Sequence, residues 1–350
     1  MVSEQKEVQL KSPDSEQAVF RQPVTFEKAV LFEQPAVFQK AVIFEKPVVF
    51  EDSVVYNESI MAAEQTSKPA SVRQSEAGGN TALDRGAARS LPGRVPAAMQ
   101  VRNLSFSYGD HPVLDDLSLE IPAGRISVLM GANGCGKTTL FRVMTKGLRQ
   151  QQGQVLLEDR DISSLRLREF SERVAIVHQN NTAPPDLTVE KLVSYGRTPY
   201  LSAFGGGGEQ DREAVLWAME ETNVTKHRNR RVSALSGGQR QRVWIAMALA
   251  QKTDVLFLDE PTTYLDIRYQ VQILRLIRQL NREYGITIVM VLHDINQAVE
   301  YSDVFVGMKD GRIEVCGNPY EVVTTRMLNR LYGIDLEIAR RGGRKFVLTI

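Results

Sequence analysis

Residues 125–138 read Arg-Ile-Ser-Val-Leu-Met-Gly-Ala-Asn-Gly-Cys-Gly-Lys-Thr, and this stretch decides the fold. Arg125 to Met130 has the short, mostly apolar run of a buried strand. It leads into Gly131-Ala132-Asn133-Gly134-Cys135-Gly136-Lys137-Thr138, which fits G-x-x-x-x-G-K-[ST] after a strand and before a helix. The glycines allow a tight curl in which successive N–H groups aim at phosphate oxygens. Lys137 adds a point charge for the β- and γ-phosphates. Thr138 offers a hydroxyl to Mg²⁺. Asn133, Cys135 and Thr139 belong to the same expected nucleotide contact set. Cys135 reads as a small residue tolerated in the loop rather than a catalytic thiol.

Downstream, Val255-Leu256-Phe257-Leu258 is an apolar strand running into Asp259-Glu260. The acids therefore emerge at the strand's carboxyl end, where open α/β sheets bind ligands. Asp259 is expected to hold Mg²⁺ directly or through water, and Glu260 to orient and deprotonate the attacking water. Gln179 follows the strand Val174 to His178 and supplies an uncharged side-chain oxygen for Mg²⁺ or water. His293 follows another buried strand, Thr287 to Leu292. Taken alone it is a hydrogen-bonded structural histidine, but at a neighbouring strand end it reaches the γ-phosphate. Tyr108 closes the first strand and can stack on adenine, its alternative being an ordinary surface or core tyrosine. Ser236, Gly237, Gly238 and Gln239, after Leu235, give an anion-seeking helix start.

The bulk properties narrow the setting. The chain has 350 residues and a formal charge of +1, so nothing suggests nucleic acid as a main partner. No apolar run approaches the ~20 residues of a membrane span. The first fifteen residues lack a secretory pattern. Two cysteines, Cys135 and Cys316, make no disulfide framework and fit a reducing cytosol.

Phe20, Phe26, Phe32, Phe38, Phe44 and Phe50 recur every six residues, and Tyr56 continues the series. Six is a multiple of two but not of 3.6, so an extended chain keeps the aromatics on one face. For 1–56, a loosely ordered polar segment and hexad repeat is the favoured reading. A small β-unit and a partner-binding strand are the alternatives. Residues 57–98 read as a linker rich in Ala, Ser, Gly and charge. From Met99 to 350, strands and helices alternate as in an α/β domain. Gln100 to Tyr108 and Leu117 to Ile121 suggest an antiparallel pair, Lys137 to Leu148 a helix, about 187–250 a mainly helical subdomain, and 267–284 a long helix. Ser302 to Met308 and Arg312 to Cys316 form an expected hairpin, followed by a helix and one short strand. Gly205-Gly206-Gly207-Gly208 is either a flexible joint or a plain insertion.

Over 99–350 the sequence resembles the ATP-binding subunits of ATP-binding-cassette (ABC) transporters. The resemblance rests on the loop at 131–138, Gln179, the signature 235–239, the acidic strand 255–260, Tyr264-Leu265-Asp266 and His293. Leu235 to Gln251 (LSGGQRQRVWIAMALAQ), Asp259 to Asp266 (DEPTTYLD), Val291 to Gln297 (VLHDINQ) and Gly196 to Pro199 are similar to the iron(III)-siderophore import branch. The resemblance implies the P-loop NTPase fold of ABC ATPases, with an antiparallel β-subdomain and a helical subdomain, here preceded by the hexad-repeat extension. It further implies ATP and Mg²⁺ as ligands and a head-to-tail homodimer. In that dimer Ser236, Gly237 and Gly238 of one copy cover ATP on the other, and Asp266 connects the two sites. Membrane permease subunits and, indirectly, an extracellular iron-chelate binding protein are the expected partners, at the cytoplasmic face of the membrane. Haem or cobalamin import, a soluble cassette acting on ribosomes or DNA, and a scaffold role for the repeat are the rival readings.

Overall fold

The computed structural model describes residues 96–201 and 208–348, together with eight short strands between residues 18 and 62. The chain divides into two units, Met1–Ala88 and Arg89–Ile350.

In the first unit every strand pairing is parallel and advances by eighteen residues. Ala18 pairs with Ala36 and Ala36 with Val54; Val24 pairs with Val42, and Val30 with Val48. Three hexads thus make one coil, and three separate sheets result. The expectations of poor order for 1–56 and of a linker at 57–98 fall largely outside the described residues.

The second unit begins with two twelve-residue strands, β1 (Ala97–Tyr108) and β2 (His111–Pro122), paired antiparallel. Alternating burial in β2 puts Leu117, Leu119 and Ile121 inward. β4 (Gln152–Leu157) and β5 (Arg160–Asp161) complete this sheet in the order β2-β1-β4-β5.

The second sheet carries the chemistry. Its strands are β3 (Ile126–Met130), β6 (Val174–Val177), β7 (Val255–Asp259), β8 (Thr287–Val291), β9 (Val304–Lys309) and β10 (Arg312–Gly317). The order is β6-β7-β8-β3-β9-β10, parallel except for the β9–β10 hairpin. β3 and β8 are buried at every position: Val128 and Met290 share a core with helices, and Leu129 and Val289 share one with the antiparallel sheet and the helix after the phosphate loop.

Those helices are held by specific contacts. α1 (Lys137–Met144) buries Leu140 and Phe141, and the Phe141 ring meets Phe257 of β7 edge-on at 5.4 Å. That contact braces the phosphate-loop helix against the strand bearing Asp259. α6 (Ile267–Tyr284) is amphipathic, burying Ile273, Ile277 and Leu280 on one stripe. Each such side chain contributes roughly 1.5–3 kcal/mol. Asp266 caps its start by accepting from Tyr269 N at 3.0 Å, and Gly285, at φ +68°, ends it in the left-handed region.

α2 (Leu167–Ser171) precedes β6. α3 (Val189–Ser194), α4 (Glu209–Glu221) and α5 (Gly237–Ala250) form the helical subdomain. Arg197 ties α4 to α5 by donating to Asp211 Oδ1 at 2.7 Å and to Ala250 O at 2.8 Å. α7 (Ile295–Tyr301) follows β8, with α8 (Pro319–Val322) and α9 (Thr325–Tyr332) after β10. A closing hairpin, β11 (Glu337–Arg341) with β12 (Arg344–Leu348), replaces the single strand expected there. Asn296 fixes it to α7 through both directions of a bond pair with Val347. Of the Gly205–Gly208 joint, residues 205–207 lie outside the described residues.

Candidate nucleotide site

Four expected site segments meet at the carboxyl edge of the six-stranded sheet, since β3, β6, β7 and β8 run parallel. The strand order does the positioning. β7 lies between β6 and β8, so Glu260, just past β7, is flanked by Gln179 and His293, each two residues past its own strand. Gln179 Nε2 donates to Glu260 Oε2 at 2.5 Å, and His293 Nε2 lies 2.5 Å from Glu260 Oε1. Thr263 Oγ1 donates to the same Oε2 at 2.9 Å. Glu260 has a positive φ of +50°, rare for a side-chain-bearing residue, and its side chain is 12% exposed. Three partners thus fix the direction of one mostly buried carboxylate.

The phosphate loop closes on its lysine. Lys137 Nζ donates to the carbonyls of Gly131 and Ala132, both at 2.9 Å, and lies 3.8 Å from Cys135 Sγ. Gly131 is at φ +147° and Gly136 at +101°. A Cβ on Gly131 would sit 2.2 Å from the Met308 carbonyl, so glycine is required there for close approach as well as for φ. Cys135 is buried and Thr138 exposed, with Thr139 buried at the next position. Asn133 and Gly134 are exposed on the loop. A cleft of ≈ 590 Å³ opens beside Gly134, lined by Phe106, Leu114, Gln151 and Gly311 among others. Tyr108 is half-exposed, edge-on to Phe106 at 5.0 Å, and does not line this cleft.

Asp259 has its carboxyl pushed above the usual carboxylate range, first by burial and then by the adjacent Glu260 charge. A half-buried carboxylate in this condition is relieved by a cation. The donor set offered by Thr138, Gln179 and Asp259 consists of oxygens only, as Mg²⁺ requires. Among the described residues no group of three or more His, Cys, Asp or Glu side chains forms a metal site alone. Mg²⁺ here would complete its shell with phosphate oxygens and water.

The signature lies apart from this cluster. Ser236 Oγ accepts from Gln239 N at 3.4 Å while Gln239 Oε1 accepts from Ser236 N at 3.1 Å, a capping box at the start of α5. Gly237 and Gly238 pack against α6 and the loop before it. A Cβ on Gly237 would lie 3.4 Å from Leu265 Cδ2, and one on Gly238 2.2 Å from the Tyr269 ring. Around the neighbouring loop, Tyr264 is 89% and Ile267 79% exposed. Sequence reasoning missed Thr263; its position three residues after Glu260 in a tight turn was the available signal. It also missed Gln270 and Gln297, whose bonding depends on how α6 and α7 pack.

A buried strand, a lysine-closed phosphate loop and an oriented carboxylate beside a half-buried aspartate define a P-loop nucleoside triphosphatase. The profile of the ABC transporter family matches residues 114–263. The iron(3+)-hydroxamate import ATP-binding protein of Bacillus subtilis (strain 168) is 44% identical over 241 residues, covering 69% of this chain and 90% of that relative. The ferric enterobactin transport ATP-binding protein of Escherichia coli (strain K12) is 42% identical over 238 residues, covering 68% and 88%. A bacterial ABC transporter cassette solved as a dimer superposes with a TM-score of 0.56 at 28% identity, covering 63% of this chain and 98% of that one. The chain belongs to the ABC transporter family, in which it is an ATP-binding, ATP-hydrolysing subunit.

Proposed function

We propose that this protein drives uptake of iron(III)-siderophore complexes, hydrolysing ATP on behalf of permease subunits in the membrane. The observation that carries the ATPase chemistry is the Glu260 carboxylate fixed by Gln179, His293 and Thr263 at the end of β7. Support for the cargo comes from two relatives, which take part in import of iron(3+)-hydroxamate and transport of ferric enterobactin and match nearly their full length here.

In this reading the curled loop 131–136 receives the phosphates on its N–H groups. Lys137 exchanges its bonds to the Gly131 and Ala132 carbonyls for phosphate oxygens. Thr138, Thr139, Asn133 and Cys135 line the same loop, and Tyr108 provides a face for adenine. Thr138, Gln179 and Asp259 would hold Mg²⁺, which neutralises charge on the transferring phosphoryl group. Glu260 takes a proton from the attacking water, and His293 contacts the γ-phosphate after leaving Glu260. Ser236, Gly237, Gly238 and Gln239 reach the nucleotide of a second, head-to-tail copy, their helix start facing its γ-phosphate. An extracellular iron-chelate binding protein delivers cargo to the permease. Among the described residues no helix is long and apolar enough to cross a membrane. In this reading the chain works at the cytoplasmic face through its permease partners.

Copurification with membrane proteins and uptake of labelled iron(III)-siderophore test this together. The chain should retain a permease, and Lys137→Ala should abolish both ATP turnover and uptake. Failure of the chain to retain any membrane protein in copurification, or undiminished uptake with Lys137→Ala, would overturn the importer reading.

A further inference from the structure

A second set of bonds starts from the turn after Glu260 and runs through α7 and α6 to the loop before α6. Thr262 Oγ1 donates to Gln297 Oε1 at 3.3 Å, Gln297 Nε2 to Gln270 Oε1 at 2.8 Å, and Gln270 Nε2 to the Leu265 carbonyl at 2.9 Å. Each amide accepts on its oxygen and donates from its nitrogen, so the chain has one polarity and its bonds reinforce one another.

Both ends matter. Gln297 lies in the first turn of α7, where its N–H bonds Asp294 Oδ1 at 2.9 Å, one residue after His293. Leu265 precedes Asp266, the cap of α6, and its side chain packs at Gly237 of the signature. We infer that Gln297 and Gln270 are positioning residues: they link the His293 segment to the loop 264–266 and to the signature start within one chain. A protomer's own nucleotide site would thereby set the placement of the signature it offers to its partner.

The inference rests on the head-to-tail reading above. It differs from contact across the dimer interface because every link lies in one chain. When His293 exchanges Glu260 for a γ-phosphate, the first turn of α7 moves with it. The amide pair converts that movement into a pull on the Leu265 carbonyl. A cycle of variants measures the coupling between the two amides.

Gln297→Glu keeps size and acceptor but cannot donate to Gln270. Gln270→Glu keeps the acceptor for Gln297 and loses the donor to Leu265. Steady-state ATP turnover of the full-length chain, measured against ATP concentration, reads both. Expected for each is about a tenfold fall in kcat with KM nearly unchanged, within the usual range of site–site coupling. The Hill coefficient should fall towards one. The double variant should lose no more than either single one, because each interrupts the same series of bonds at a different link. Gln297→Asn with Gln270 intact should recover little, since the shorter amide cannot span both partners. Wild-type kcat and Hill coefficient in the two single variants, or losses that multiply in the double, would overturn the relay. A KM rise without a kcat change would also overturn it. If the unmodified chain shows no ATP turnover, the ATPase reading falls as well.

Discussion

His293 Nε2 and Glu260 Oε1 lie 2.5 Å apart, so the histidine past one strand end and the carboxylate past the next are in direct contact. Gln179 holds the other carboxylate oxygen from the opposite strand. The Glu260 carboxylate is therefore aimed by partners on both neighbouring strand ends.

Glu260→Gln keeps the shape and removes the base. ATP should still bind and draw two copies together, while hydrolysis falls by about 10²–10⁴-fold. Turnover equal to that of the unmodified chain would show that another group accepts the water's proton. Nucleotide binding by fluorescence and phosphate release measure the two halves.

Asp259 and Asp211 should respond to pH with opposite signs. Burial and the Glu260 charge raise the Asp259 carboxyl, so the native state disfavours its ionised form. Its contribution to stability is complete below the unfolded carboxylate range and is lost as pH rises through the raised value. Asp259→Asn should therefore raise Tm at neutral pH while abolishing hydrolysis, and the Tm gain should vanish in acid.

Arg197 holds the Asp211 carboxyl below the usual range, chiefly through their hydrogen bond. That stability is present above the unfolded carboxylate range and disappears as pH falls through the lowered value. Asp211→Asn should lower Tm at pH 7 and match the unmodified chain in strong acid. Parallel Tm–pH curves would remove the pair from the account of how α4 meets α5.

Gly238→Ala tests the packing at the signature. The added Cβ would meet the Tyr269 ring at 2.2 Å. Overpacking of this kind costs about 1–3 kcal/mol, and each kcal/mol lowers Tm by about 2–4 °C in a domain of this size. Unchanged Tm in a thermal melt would mean that Tyr269 swings clear without cost.

Ser236→Arg separates binding from closure. Its bonds in one chain are those of its own capping box. ATP binding to a single subunit should survive, while ATP-dependent dimerisation in gel filtration is lost. Loss of monomer binding would place Ser236 in its own chain's site.

Much of this was readable before any coordinates. α6 was legible at both ends because Asp266 caps it and Gly285 terminates it. β3, β7 and β8 were legible because nearly complete burial demands mostly apolar runs. α1 was read four residues too long, since leucine at 148 continues its pattern while Lys146, at φ +59°, breaks the backbone. β4 and β5 went unread: their turn runs through Glu158 and Asp159, both at positive φ without a glycine to announce it. The signal for a second C-terminal strand is Gly342-Gly343, both at positive φ in its turn. In the site, the identities of Lys137, Gln179, Asp259, Glu260 and His293 were visible, but not the grip of Thr263 on Glu260. The amides of Gln270 and Gln297 gave no signal, because their partners are set by tertiary packing.

The pairing of Ala18 with Ala36 and of Ala36 with Val54 has an evolutionary corollary. Removing one hexad brings each later strand onto a neighbour with the same small-x-aromatic pattern, and the ladder re-forms. Removing four or five residues breaks that phase for everything downstream. Length variants of this extension should therefore differ in steps of six, as duplications and losses of whole units.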